Sequence, residues 1–153
     1  MSKECVFCSQ TRQSQRTVLK TSLVTAFLSN PRLMRGHLLI VPNRHVERLD
    51  QLSPEERHAL IDTAASLQSI ICNQLAQGCD FRIHFRPFQK EDGIKVNHLH
   101  AHLQPRELFD DLYQQSQKFE TSIYKPLSDH ERNRLINLFI EFVAANVSNN
   151  KLG

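Results

Sequence analysis

Three features of the sequence predict a fold that mixes short β-strands with amphipathic helices. Residues 17–28, 36–42, 81–86 and 98–105 form apolar or alternating runs bounded by turn-forming residues, which is how strands read. Ser53-Pro54-Glu55-Glu56 and Ser128-Asp129-His130-Glu131 each open a helix, with apolar residues following at helical spacing. In Asn97–Pro105, His98, His100 and His102 alternate with Leu99 and Ala101, a period of two. A chain of 153 residues can bury a core without disulfides, so a single domain over residues 1–153 is expected.

At the amino-terminal end stands Cys5-Val6-Phe7-Cys8. Two thiolates at that spacing can share a tetrahedral Zn²⁺, but one such pair is half a site. Cys72 and Cys79 are too far apart to supply the rest, and Cys72 falls in a predicted helix. Any partners must be histidines; without them the pair is two idle thiols. Thr17–Lys20 and Leu23–Leu28 read as strands around Thr21-Ser22. Gly36–Pro42 is a mostly apolar strand between glycine and proline, expected to be buried on both faces, with His37 at its mouth.

Ser53 caps a helix with proline at its first position and Glu56 completing the box, and Leu60, Ile61, Ala64, Leu67, Ile70, Ile71 and Leu75 carry the helix to about Gly78. His58 reads as solvated. Phe81–Arg86 alternates, with Phe81, Ile83 and Phe85 predicted to face the core and His84 the exposed sheet surface. Residues 89–93 form a hairpin-like loop, and Ile94–Val96 lead into the histidine strand. Beyond Pro105, Phe109, Leu112, Tyr113 and Phe119 are spaced for packing. A last helix over about 128–147 uses Leu135, Ile136, Leu138, Phe139, Phe142 and Val143, and residues 148–151 are expected to fray.

On a strand, the three histidines point to one face roughly 6–7 Å apart, with Leu99, Ala101 and Leu103 facing the core. That spacing suits imidazoles that share one phosphate group or one metal ion. A single histidine in such a place would read as a polar sheet surface; three in strict alternation, of eight in the chain, read as a functional face. A net charge of +3, with no aromatic-interleaved basic stripe, argues against nucleic acid and allows a small anionic substrate. No apolar run approaches a membrane span, no secretory segment is seen, and four cysteines then read as reduced, so a cytoplasmic protein is expected.

His98-Leu99-His100-Ala101-His102-Leu103-Gln104 resembles the histidine triad (HIT) motif, and Ala26-Phe27-Leu28, Gly36–Pro42, His45 and the amino-terminal CxxC are similar to further blocks of that family. The resemblance covers about residues 5–106, leaving a branch-specific carboxy-terminal extension. It implies an α+β fold, a five-stranded antiparallel sheet with helices, continuous across a homodimer. It also implies a nucleotide hydrolase acting at the α-phosphorus of nucleoside phosphoramidates, adenylates or dinucleoside polyphosphates, with a purine nucleotide as partner and no organic cofactor. By position, His100 would be the nucleophile, and His102 and His37 would hold phosphate oxygens or the leaving-group side. A neutral imidazole can attack phosphorus and form a phosphoramidate that water later cleaves. The first triad histidine, His98, either orients the nucleophile or joins Cys5, Cys8 and His45 around a structural Zn²⁺.

Phe27, Ser29, Asn30, Lys95 and His102 are the implied substrate contacts. Ser29 stands where the family has Asp or Asn, Lys95 where Ser or Thr is common, and Gln104 is polar where an apolar residue is usual. Other readings are a non-catalytic nucleotide-binding regulatory module, a nucleotidyltransferase of the same superfamily, and a zinc-stabilised nucleic-acid binder. Against the transferase stands His102, where that branch carries glutamine.

Overall fold

The computed structural model describes residues 5–9, 14–92 and 95–148. The chain divides into two compact units, Met1–Gln114 and Gln115–Gly153. The first is built on strands β1 (Thr17–Lys20), β2 (Val24–Leu28), β3 (Leu38–Pro42), β4 (Gly78–Ile83) and β5 (Ala101–Arg106). Every pairing is antiparallel, in the order β1-β2-β3-β5-β4. Helix α1 (Pro54–Gln74) starts as the sequence predicts: Ser53 Oγ accepts the Glu56 amide, and the Glu56 carboxylate accepts the Ser53 amide.

The register sorts side chains onto two faces, because directly paired residues share a side of the sheet. One row is Ala26, Ile40, Ala101 and Ile83. Together with Val24, Leu38 and Leu103 it buries against Leu60, Ala64, Leu67 and Ile71 of α1. At about 25 cal/mol per Å² of apolar surface removed from water, this layer is the main stabilising contact of the unit. The opposite row is Phe27, Leu39, His102 and Arg82. With that face free of α1, its polar side chains are left to act. Strand β3 is buried along its whole length, as its uninterrupted apolar run predicts.

Four sequence expectations are corrected. Helix α1 stops at Gln74, not near Gly78: the amides of Leu75 and Ala76 both close on the Ile71 carbonyl, and Gly78 opens β4 opposite Arg106. Strand β4 spans Gly78–Ile83, not 81–86, and Phe81 and Phe85 are exposed rather than in the core. The alternating aromatics satisfied the strand pattern, but pairing with β5 ends at Ile83↔Ala101. The histidine segment is a strand only from Ala101 onward. Before it, the Leu99 amide donates to the Val46 carbonyl at 2.6 Å, so the chain pairs with the loop after β3 and not with β3 itself. Phe109 and Phe119 are exposed rather than packed.

Helix α2 (Asp111–Gln115) is short, and Arg106 grips Asp110 just before it through both carboxylate oxygens, at 2.6 and 2.8 Å. That ion pair, with the Tyr113 and Glu107 amides, holds the Asp110 carboxyl far below the usual carboxylate range. In the second unit, helix α3 (Asp129–Ser148) starts with the Glu131 amide on Ser128 Oγ. Its apolar side chains, Leu135 to Val143, are exposed within that unit. Residues 149–151 of the expected fraying end, and residues 93 and 94 of the expected loop and strand lead-in, lie outside the described residues. Among the described residues no helix is long and apolar enough to cross a membrane.

Candidate active site and metal centre

Splitting the histidine segment at Ala101 gives its members two destinations. His98 is 2% exposed. Its Nε2 lies 3.0 Å from the Pro42 carbonyl oxygen, and an oxygen there can only accept, so Nε2 carries the proton. The lone pair is left on Nδ1, which faces Cys5 Sγ at 3.4 Å and Cys8 Sγ at 3.6 Å. His45 Nδ1 stands 3.3 Å from Cys8 Sγ. The four candidate ligand atoms of Cys5, Cys8, His45 and His98 all lie within 4.8 Å of one another. Zinc–sulfur and zinc–nitrogen bonds of ordinary length give a tetrahedral S–N edge of about 3.5 Å, so the donor set and its spacing fit Zn²⁺.

The loop bearing His45 is fixed from outside. Arg44 forks onto the buried Glu56 carboxylate at 3.0 and 2.7 Å, which ties the loop to the first turn of α1. From the cluster, Phe7 reaches across to the other half of the site. Its ring sits 6.0 Å from that of His98, 5.3 Å from His100 and 5.5 Å from Phe27.

His100 bends back on its own backbone: Nδ1 is 2.6 Å from the His98 carbonyl oxygen. Again the carbonyl fixes the proton, here on Nδ1, and the lone pair falls on Nε2. Burial pushes the His100 pKa below its ordinary value, with the carbonyl contact pulling the other way. The ring of His102 stands 4.8 Å from that of His100.

His102 is wired in the opposite sense. The Leu33 amide donates to His37 Nδ1 at 3.3 Å, so the His37 proton resides on Nε2. That N–H donates to His102 Nδ1 at 3.0 Å, which leaves His102 with its own proton on Nε2. His37 is 3% exposed. Burial first, then a charge on His100, pushes His37 down to about 4. His102 falls to about 3, through burial and then the charges of His100, His37, His84 and Arg82. Both rings are neutral at neutral pH, one an acceptor of a backbone amide and the other a donor into the cleft.

Two cavities meet at His100 and His102. The first, about 490 Å³, is lined by Phe27, Ser29, Asn30, Arg16, His37 and Leu39 among others. The Ser29 hydroxyl donates to the Pro31 carbonyl at 2.7 Å, so toward a ligand Ser29 acts as an acceptor. The second, about 590 Å³, lies on the β4 side, and Lys95 lines it. The Lys95 ammonium is held by the carbonyls of Arg86 (2.7 Å) and Gln89, so it closes the 86–89 turn. Four neighbours of the triad carried no sequence signal as site residues: Phe7, Arg16, Leu33 and His84. His84 is exposed, as expected, and its ring also stands 5.3 Å from that of His102. Only the register Arg82↔His102 brings it there.

Residues 10–108 match the HIT domain, and the chain belongs to the HIT family. Over 96 residues it is 30% identical to a bis(5'-nucleosyl)-tetraphosphatase (asymmetrical) of Schizosaccharomyces pombe, covering 60% of this chain and 49% of that protein. Over 100 residues it is 32% identical to a bis(5'-adenosyl)-triphosphatase of Dictyostelium discoideum, covering 65% of this chain and 64% of the other. This chain thus matches about half to two thirds of the length of those relatives. The fold is shared with a zinc-bound histidine triad family protein from Mycobacterium smegmatis, at a TM-score of 0.60 and 21% identity, over 95% of this chain and 99% of that one.

Proposed function

We propose that the protein is a nucleotide hydrolase in which His100 Nε2 attacks an α-phosphorus and carries the nucleotidyl group as a covalent intermediate. The substrate class comprises nucleoside phosphoramidates, adenylates and dinucleoside polyphosphates. The observation that carries this reading is the 2.6 Å contact of His100 Nδ1 with the His98 carbonyl. It keeps the nucleophilic lone pair on the nitrogen away from the backbone, and it stabilises the positive charge the ring gains on attack. His102, with its Nε2–H turned outward by His37, donates to a phosphoryl oxygen or to the departing atom, where negative charge develops. A purine nucleoside would occupy the cavity that Phe27, Ser29 and Asn30 line, with the Ser29 oxygen and Asn30 meeting its ribose hydroxyls.

Zn²⁺ held by Cys5, Cys8, His45 and His98 would serve structure alone: a closed Cys₂His₂ set has no open position for substrate. It would tie the amino-terminal segment to the residues that precede His100. The four cysteines form no disulfide among the described residues, which fits a reducing compartment, and on that ground we infer a cytoplasmic protein. The family resemblance implies a homodimer with the sheet continuous across it; the exposed apolar side chains of α3 lie outside the segment that carries the resemblance.

The test is a panel of adenosine and guanosine phosphoramidates and dinucleoside polyphosphates, assayed with wild type and His100→Ala. The variant is expected to lose turnover by on the order of 10³-fold or more while keeping its melting temperature. Wild-type rates from His100→Ala would remove the nucleophile. A protein that binds AMP in calorimetry yet turns over nothing would establish the regulatory-module reading instead.

A further inference from the structure

The second cavity has a chemical character of its own. Three cations line it, Arg86, Lys90 and Lys95, against one carboxylate, Asp92, and His84 stands among them. Lys95 is committed to the carbonyls of Arg86 and Gln89, and the Asp92 carboxylate accepts the Lys95 amide at 2.9 Å. Those bonds hold the turn that carries the other two cations. Among the described residues Arg86 and Lys90 form no ion pair, whereas Arg82 and Arg106 nearby are each bound to Asp80. Gln104 also lines this cavity; it is 2% exposed, and its Oε1 has no hydrogen-bond partner. That oxygen can only accept, so it would take a ligand's hydroxyl or amine and adds nothing to the binding of an anion, which falls to the cations.

We propose that this cavity is the leaving-group subsite and that Arg86, Lys90 and His84 select a polyphosphate chain there, favouring dinucleoside polyphosphates over phosphoramidates. The inference rests on the reading of His100 as nucleophile. With the nucleoside in the first cavity and its α-phosphate at His100 and His102, the second cavity borders both rings and can receive the departing group. In the first step the His100 lone pair becomes the N–P bond. The Pα–O bond breaks, and its electron pair leaves on the oxygen of a nucleoside polyphosphate anion. Water then attacks phosphorus: its oxygen stays on the nucleotide, its proton is released and the imidazole recovers its lone pair.

An amine leaving group needs a proton to depart and gains nothing from fixed cations. A polyphosphate leaves as a stable anion, and its several charges are what Arg86 and Lys90 attract.

The experiment compares kcat/KM for diadenosine tetraphosphate and for an adenosine phosphoramidate, using wild type and the double variant Arg86→Gln, Lys90→Gln. The ratio of the two values is expected to fall tenfold or more in the variant, and Arg86→Lys with Lys90→Arg to restore most of it. A ratio that stays put overturns the proposal. Both side chains are exposed, so melting temperatures should agree and separate selectivity from misfolding.

Calorimetry with inorganic tripolyphosphate supplies a readout independent of turnover. Wild type should bind it in a salt-sensitive way, and the double variant at least tenfold more weakly. Equal binding by both overturns the subsite. If wild type hydrolyses neither nucleotide yet binds tripolyphosphate through Arg86 and Lys90, the nucleophile reading fails and the anion subsite stands.

Discussion

His98 and His102 lie four residues apart, the first buried and the second half-buried, both neutral, yet they present opposite nitrogens to their surroundings. On His98 the anchoring partner is a carbonyl, that of Pro42, which accepts the ring's N–H and so turns a lone pair toward the two thiols. On His102 the anchoring partner is an N–H, that of His37, which takes the lone pair and turns a proton toward the cleft. His100 follows His98, with a carbonyl on its inner nitrogen. The difference teaches that burial alone does not assign a histidine's role. Burial makes the ring neutral, and the partner on the inner nitrogen then decides whether the outer one donates or accepts.

If the metal half serves stability and the phosphate half serves chemistry, changes in each should move different observables. The largest effect is expected from removing the metal. Chelation, or Cys8→Ser, should lower the melting temperature by about 10 °C or more. Structural zinc contributes several kcal/mol, and each is worth roughly 2–4 °C in a chain of this size. Turnover measured below the new transition should change by less than about threefold. Elemental analysis before and after chelation shows whether the ion left. An unchanged melting curve with zinc gone would remove the structural role of the cluster.

The complementary change is His37→Leu, which keeps much of the volume and removes the N–H that fixes His102. With the relay from Leu33 broken, His102 can place its proton on either nitrogen, and kcat is expected to fall by about 10²-fold. The melting temperature should move less than it does on zinc removal. A variant with wild-type kcat would mean that the proton on His102 Nε2 is not needed.

Much of this arrangement was legible in the sequence, and what was not has a definite cause. The cap at Ser53, the buried run of β3 and the strands on either side of Thr21-Ser22 depend on neighbours in the chain, and the structure has them where the pattern predicts. The gathering of Cys5, Cys8, His45 and His98 followed from the family resemblance, since nothing in their spacing alone joins residues so far apart. The strand expected from His98 onward was misplaced because alternation records which side chains are buried, not where a backbone finds its partner. Leu99 is buried on schedule, but its amide bonds Val46. His84 was passed over for a related reason: strand register is a property of two segments, and one segment read alone does not contain it. Phe7 carries no signal of its own within the CxxC pattern, and only the fold sets its ring against those of His98, His100 and Phe27.

The smallest expected effect concerns acid. The folded protein holds His37 at about 4 and His102 at about 3, chiefly through burial, while an unfolded chain protonates histidine near 6.5. Between these values the unfolded state binds more protons than the folded one, so the neutral pair contributes its full stability above about pH 6.5 and loses it as the pH falls toward 4 and then 3. Zinc release and carboxylate protonation occur in the same range, so the wild-type curve alone does not isolate the pair. His37→Leu does. It removes one histidine of this pair and leaves the metal ligands, and the other lowered histidines His84, His98 and His100, in place. The urea midpoint of wild type should therefore fall more steeply between pH 6.5 and 4 than that of the variant. Parallel slopes would mean that His37 is protonated as readily in the folded chain as in the unfolded one, and the neutral relay to His102 would not survive that result.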